Sequence, residues 1–287
     1  MNQARPFLMC GLALAAVLIG AAALEAQTPQ ILPPTYIPQT HFNSGQDVVP
    51  SFDGWIRNPD GSFTMVFGYL NRNYKEELVI PPGPNNNVEP GGPDQGQPGF
   101  FTPRRQPWVF RVKVPADWGQ KELVWSLTSH GRTEKAYGQL LLEQEIIERV
   151  ISSRGNLSPG LDNPNKPPSI TVDPVEHASL GNPVTLTALV TDDGLPKPRV
   201  PKARPEVEPG KAQTNAAVRR RFGLSVTWLE YRGPAKVTFN YTDPITVQDG
   251  KAVTTARFTE PGTYVLRAMA NDGELSATTM VTIDVAK

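Results

Sequence analysis

Short runs in which apolar and polar residues alternate one by one cover most of this chain, and they predict strands with one face toward a core. The clearest run lies near the C-terminal end. Tyr264, Leu266, Ala268 and Ala270 form one face, and Val265, Arg267 and Met269 the other. Pro261-Gly262 is its entry turn, because proline fixes φ and glycine tolerates positive φ. Asn271-Asp272-Gly273 is a hairpin signal at its exit. The spacing Gly262-x-Tyr264-x-Leu266 matches a tyrosine corner, in which the hydroxyl bonds back to the backbone.

The remaining runs fall into two sets. In residues 50–142, Phe63, Met65, Phe67 and Tyr69 share a face, as do Trp108, Phe110, Val112 and Val114, and then Leu123, Trp125 and Leu127. Asn58-Pro59-Asp60-Gly61 and Ser129-His130-Gly131 are turn-forming tips between such runs, and Pro81 to Pro98 reads as a long Pro/Gly/Asn loop. In residues 169–287, Val184, Leu186, Ala188 and Val190 alternate, Leu224, Val226 and Trp228 follow, and Val281, Ile283 and Val285 close the chain. Between the sets, Leu140 to Ser152 carries apolar residues near helical spacing, although its β-branched residues also suit an extended arm. Residues 143–168 are a linker, part helical on this reading and Pro/Asn-rich after Ser153.

Composition adds a boundary at the start. Arg5, the apolar run Phe7 to Ala23 and the small residues near Ala21, Ala23 and Ala26 have the layout of a secretory signal peptide over residues 1–26. The run is also near the ~17-residue lower limit for a membrane anchor, but no basic stop-transfer cluster follows it. Residues 27–49 are a Pro/Gln-rich extended arm. Cleavage after the run removes Cys10, the single cysteine, and with it thiol chemistry and cysteine-based metal sites. The expected location is therefore periplasmic, cell-surface or secreted, with no transmembrane segment left after cleavage. The formal net charge is zero, so no global field draws the chain to nucleic acid or to an anionic membrane.

VTLTALVTDDGLP, LSVTWLEYRGPAKVTF and FTEPGTYVLRAMANDGELSATTMVTIDV resemble immunoglobulin-like domains of the polycystic-kidney-disease (PKD) type found in bacterial exported proteins. The resemblance covers about Pro168 to Val285. It implies that Trp228 is the core tryptophan of the third strand and that Leu186 and Leu266 replace the inter-sheet disulfide. The segments FGYLNRN, VIPPGPNNNVEPG and QGQPGFFTPRRQPWVFRV are similar to sandwich segments of uncharacterised bacterial surface proteins. The expected fold is all-β: two antiparallel immunoglobulin-like β-sandwiches joined by a linker, after a signal peptide. The resemblance is specific for fold and carries no activity. It implies spacer, adhesive or accessory roles, with an envelope protein or polysaccharide as partner.

Three groups of side chains are candidate sites. The insertion at residues 196–221 holds eight Lys/Arg against two Glu, and its Lys197, Arg199, Lys202, Arg204, Lys211, Arg219, Arg220 and Arg221 could grip an anionic polymer. It has no aromatic residue to stack on bases, which argues against nucleic acid and leaves a solvated loop as the plainer reading. Asp192, Asp193, Asp272 and Glu274 sit on turns that this fold brings to one end, where carboxylates could bind Ca²⁺; aspartates before glycine also simply cap their own turns. Phe100, Phe101 and Trp118 lie in expected loops and could form a glycan platform. Catalysis has little support. His41, His130 and His177 are the only histidines, and no metalloprotease, nucleophile-elbow or nucleotide-binding motif is present. The preferred expectation is a non-enzymatic structural, adhesive or binding protein of the bacterial envelope. An accessory glycan-binding protein is one alternative. The other is a hydrolase with an unrecognised site; His130 near Ser126 and Ser129 is a Ser/His coincidence that reads more plainly as a hairpin tip.

Overall fold

A computed structural model describes residues 41–157, 160–175, 178–197 and 223–287, and His41–Lys287 form one compact unit. The signal-like run, most of the arm, His177 and the basic insertion beyond Lys197 lie outside the described residues.

The first sandwich has eight strands: β1 (Val48–Arg57), β2 (Phe63–Asn71), β3 (Leu78–Val79), β4 (Asn86–Glu89), β5 (Phe100–Phe101), β6 (Arg104–Val114), β7 (Leu123–Ser129) and β8 (Arg132–Gly138). One sheet runs β1-β2-β6, the facing one β4-β7-β8, and β3 pairs with β5 at the side. All pairings are antiparallel. Of the alternating residues expected to face inward, Met65, Phe67, Trp125 and Leu127 are fully buried, whereas Trp108 is only part-buried because its left-handed φ of 52° breaks the alternation of β6. Their rings interlock, with Phe67 stacked on Phe110 at 5.2 Å and Phe110 edge-on to Trp125 at 4.7 Å. Offset and edge contacts of this kind add about 0.5–1.5 kcal/mol each beyond the area they bury.

Two expectations change here. The Pro81–Pro98 segment is not a free loop. It contains β4, which pairs with β7, and its tip is pinned by buried amides. Asn86 donates to the carbonyls of Ile80 and Pro98 and accepts from Trp125 Nε1 at 2.9 Å; Gln97 donates to the carbonyl of Asn86. The helix expected over Leu140–Ser152 is broken into a 3₁₀ turn, Leu142–Gln144, and a five-residue helix α1, Glu148–Ser152. Between them the chain is extended. Glu145 bridges Trp55, and Ile146 N–H donates to the Trp55 carbonyl at 2.8 Å, which a continuous helix would forbid.

The second sandwich holds β9 (Ser169–Val172), β10 (Ala178–Ser179), β11 (Val184–Thr191), β12 (Ser225–Arg232), β13 (Thr238–Phe239), β14 (Ile245–Thr246), β15 (Lys251–Arg257), β16 (Gly262–Asn271) and β17 (Ser276–Ala286). A five-stranded sheet, β10-β17-β16-β12-β14, faces a four-stranded one, β13-β15-β11-β9. Trp228, Leu186 and Leu266 are in the core, as the immunoglobulin-like pattern requires. The tyrosine corner is formed, with Tyr264 Oη donating to the Glu260 carbonyl at 2.9 Å. The chain is thus all-β, built from two immunoglobulin-like sandwiches.

Candidate functional site

Among the described residues, an extensive polar network lies between the sandwiches. β12 ends in Tyr231-Arg232, where a register shift turns both residues toward the segment after β4. The Tyr231 carbonyl accepts from Gly99 N–H at 2.9 Å, and its hydroxyl donates to the Gly96 carbonyl at 2.5 Å. The Tyr231 ring is buried and packs into the core of the first sandwich. Arg232 grips Asp94 through both terminal nitrogens, at 3.0 and 2.8 Å, and its Nε donates to the Gln97 carbonyl. Bidentate pairs of this kind fix orientation as well as adding energy. The guanidinium holds the Asp94 carboxyl below its ordinary range.

Two further groups complete this joint. Arg267 on β16 lies over the Tyr231 ring at 4.4 Å and donates to the Val109 carbonyl of β6. Lys236 pairs with Glu77 at 2.5 Å across the same seam. Beside that pair, Glu230 is almost fully buried, and its Oε2 accepts only from Val237 N–H at 2.8 Å. Burial pushes its carboxyl up to about 7; the charge of Glu77 adds to the rise and that of Lys236 opposes it. The segment after the first sandwich is bound on both sides. Glu148 pairs bidentately with Arg111 at 2.7 and 2.8 Å, and Ser276 Oγ donates to the Ser152 carbonyl at 3.0 Å.

The glycan platform is not formed as expected. Phe100, Phe101 and Trp118 are all buried. Phe100 and Phe101 make up β5 rather than a loop; Phe101 meets Tyr69 edge-on, and Trp118 Nε1 is spent on the Lys121 carbonyl. These three rings offer no open face for a sugar to stack on.

The four carboxylates expected at one end do not converge. Among the described residues no group of three or more His, Cys, Asp or Glu side chains comes together as a metal cluster. Asp193 turns away to accept from Lys166 N–H at 3.0 Å and Leu195 N–H at 2.9 Å, and Glu274 accepts from the Asn163 amide. Asp192 and Asp272 do approach each other. Burial raises the Asp192 carboxyl, and the charges of Asp272 and Asp193 raise it further. Asp192 Oδ1 and Asp272 Oδ2 are buried with no hydrogen-bond partner, and so are both side-chain polar atoms of Asn165 on the neighbouring segment. Such orphans are unusual in a folded chain.

Of the basic insertion, Lys197 is exposed and Arg199, Lys202, Arg204, Lys211, Arg219, Arg220 and Arg221 lie outside the described residues. At the hairpin tip, Ser129 Oγ accepts from Val48 N–H, while His130 Nε2 lies 3.3 Å from a Glu76 carboxylate oxygen. No helix among the described residues is long and apolar enough to cross a membrane.

No protein-family model matches the chain, and no curated protein matches it significantly. Among solved structures, it is similar to a conjugative transposon lipoprotein from Bacteroides eggerthii at 11% identity and a TM-score of 0.26, covering 42% of this chain and 98% of that one. The D00-D0 domain of intimin matches at 11% identity and a TM-score of 0.27 over 84% of this chain and all (100%) of that one. A chimeric titin Z1Z2 matches at 9% identity and a TM-score of 0.26, with 84% of this chain and 99% of that one covered. At these values the likeness carries no functional argument.

Residue pattern alone did not single out Tyr231, Arg232 and Asp94. The one signal available was an apolar outer face on the central strands of the second sandwich, where Leu229, Val265 and Met269 stand at positions a solvated sheet would make polar.

Proposed function

We propose that this chain is a non-enzymatic structural or binding protein of the bacterial cell envelope, and that its two sandwiches work as a single rigid block. The observation that carries this reading is the joint at the end of β12. Tyr231 of one sandwich completes the core of the other, and Arg232 spans the seam with a bidentate ion pair and a carbonyl contact. Independent domains on a flexible tether have no use for such a seam. A protein that transmits load or presents surfaces at a fixed angle does. The residue pattern of the C-terminal sandwich supports a PKD-type module, and the signal-like run at residues 7–23 supports export.

The block reading is tested by unfolding. The intact chain should unfold in one transition by fluorescence and by calorimetry, and Arg232→Ala with Asp94→Ala should split it in two. Two transitions in the unaltered chain would sink it. Export is tested separately, by the mass of the mature protein and by cell fractionation.

A second reading concerns the acidic end, where the orphaned oxygens of Asp192, Asp272 and Asn165 suit a hard divalent cation such as Ca²⁺, which takes oxygen ligands. These three residues would hold the ion. It would neutralise two facing carboxylates and tie the Asn163–Lys166 segment to the second sandwich. Calorimetric titration with Ca²⁺ should show saturable binding that Asp272→Asn abolishes; no binding in the unaltered chain would discard it.

A further inference from the structure

A cavity of about 800 Å³ lies between the sandwiches; it borders the joint, sharing Gly96, Tyr231 and Arg267 with it. Its floor is the outer face of the five-stranded sheet. There the register sets Leu229, Arg267 and Met280 side by side across β12, β16 and β17, with Thr227, Met269 and Thr278 in the next row. Leu229, Met269 and Met280 make this face more apolar than the free face of an antiparallel sheet usually is. Leu229 and Met280 remain substantially exposed.

The opposite wall is built with evident constraint. Trp108 on β6 has φ = 52°, a left-handed conformation that bulky residues avoid. Three features hold it there. Asp53, itself buried, accepts from Trp108 N–H at 2.7 Å while bonding Arg105 and Ser51. Gly68 leaves the room this bulge needs, since a Cβ there would fall 2.4 Å from Asp53 Oδ2 and 2.5 Å from the Gln106 carbonyl. Gly155 lies under the indole, whose edge would sit 3.2 Å from any Cβ at that position. Strain that its surroundings over-determine in this way gathers at ligand sites.

The charged groups of the cavity are three arginines, Arg111, Arg154 and Arg267, and one carboxylate, Glu148. Arg111 is neutralised by Glu148, but Arg154 and Arg267 have no carboxylate partner among the described residues. Arg267 Nε is buried without an acceptor, and Arg154 Nη1 reaches only the Met269 sulfur, at 3.2 Å. An aromatic wall, a thioether-rich floor and two guanidinium groups without a carboxylate partner among the described residues, within the size range of small-ligand sites, define one kind of guest. We propose that the cleft between the sandwiches binds a small amphipathic organic anion, its carboxylate on Arg154 and Arg267 and its apolar body between Trp108 and the Met269–Met280 floor.

The proposal needs the sandwiches to stay together, which the unfolding experiment reports independently. Its own test is calorimetric titration of the full chain with decanoate and with decanol, which share an alkyl body and differ in charge. Decanoate should bind saturably, with decanol on the order of tenfold weaker or worse, since charge-assisted contacts to guanidinium are the stronger kind. Met280→Glu, on the exposed rim, should abolish decanoate binding without changing the unfolding midpoint, and Arg154→Ala should weaken it on the order of tenfold. Absence of saturable decanoate binding would overturn the proposal, as would equal affinity for decanol or full affinity in both variants.

Discussion

The two sandwiches share an architecture and bury different things. The second is packed mainly with aliphatic and small residues, Leu186, Ala188, Leu266, Ala268 and Ala270, facing one tryptophan. The first interlocks four large rings, Phe67, Phe101, Phe110 and Trp125, and also buries amides: Asn71, Asn73, Asn86 and Gln97 are all inaccessible. The second core adds single polar contacts such as the Tyr264–Glu260 corner, whereas the first is threaded by a hydrogen-bonded lattice in which each amide must find its partners. The difference shows that a polar, loop-like sequence can be as deeply structural as an apolar strand.

The sharpest way to break that contrast is Trp125→Ala. It removes a fully buried ring and leaves Asn86 Oδ1 without its donor, so a loss of about 3–5 kcal/mol or somewhat more is expected, read by chemical denaturation. Trp125→Phe should retain much of the packing while still leaving the amide unpaired, which separates the two contributions.

Next comes Glu230, the buried carboxylate at the seam. Its carboxyl lies near 7 in the folded protein against 4.5 ordinarily, so the folded state binds the proton more tightly. Its contribution to stability is therefore full below about pH 4.5 and is lost as the pH rises through about 7. The difference is on the order of 2–3 kcal/mol. Glu230→Gln should flatten the denaturation midpoint across that window and stabilise the protein on its alkaline side. A midpoint that rises with pH equally in both proteins would contradict the assignment.

The smallest effect belongs to the second sandwich. Tyr264→Phe deletes the corner hydrogen bond to Glu260 and keeps the ring against Phe258, so about 1 kcal/mol should be lost, measured by the same denaturation. A cost as large as that of Trp125→Ala would mean that the second core also depends on its polar contacts.

The same contrast explains what could be read from the residues. Period-two alternation locates a strand when one face is apolar, and that made β11, β12, β16 and β17 legible, together with Tyr264 and Trp228. It is silent on β4, whose inward residues are Asn86 and Val88, because a buried amide looks like a turn until its partners are known. It also misplaced Phe100 and Phe101, since a two-residue strand is too short to show a period. Arg232 and Asp94 were illegible for another reason: charged residues are normally solvated, and only the fold reveals that these two meet. Asp192 and Asp272 were brought together as the immunoglobulin-like topology requires, whereas Asp193 and Glu274 were drawn off by backbone and side-chain donors of the segment before β9.

The seam also sets an order of events. Asp94 and Arg232 are 138 residues apart, so a chain emerging from its N-terminal end exposes the segment around Asp94 long before its partner exists. During that interval the gap that Tyr231 will fill in the first core stands open. The first sandwich is thus made early but completed only when the second has been synthesised as far as the end of β12.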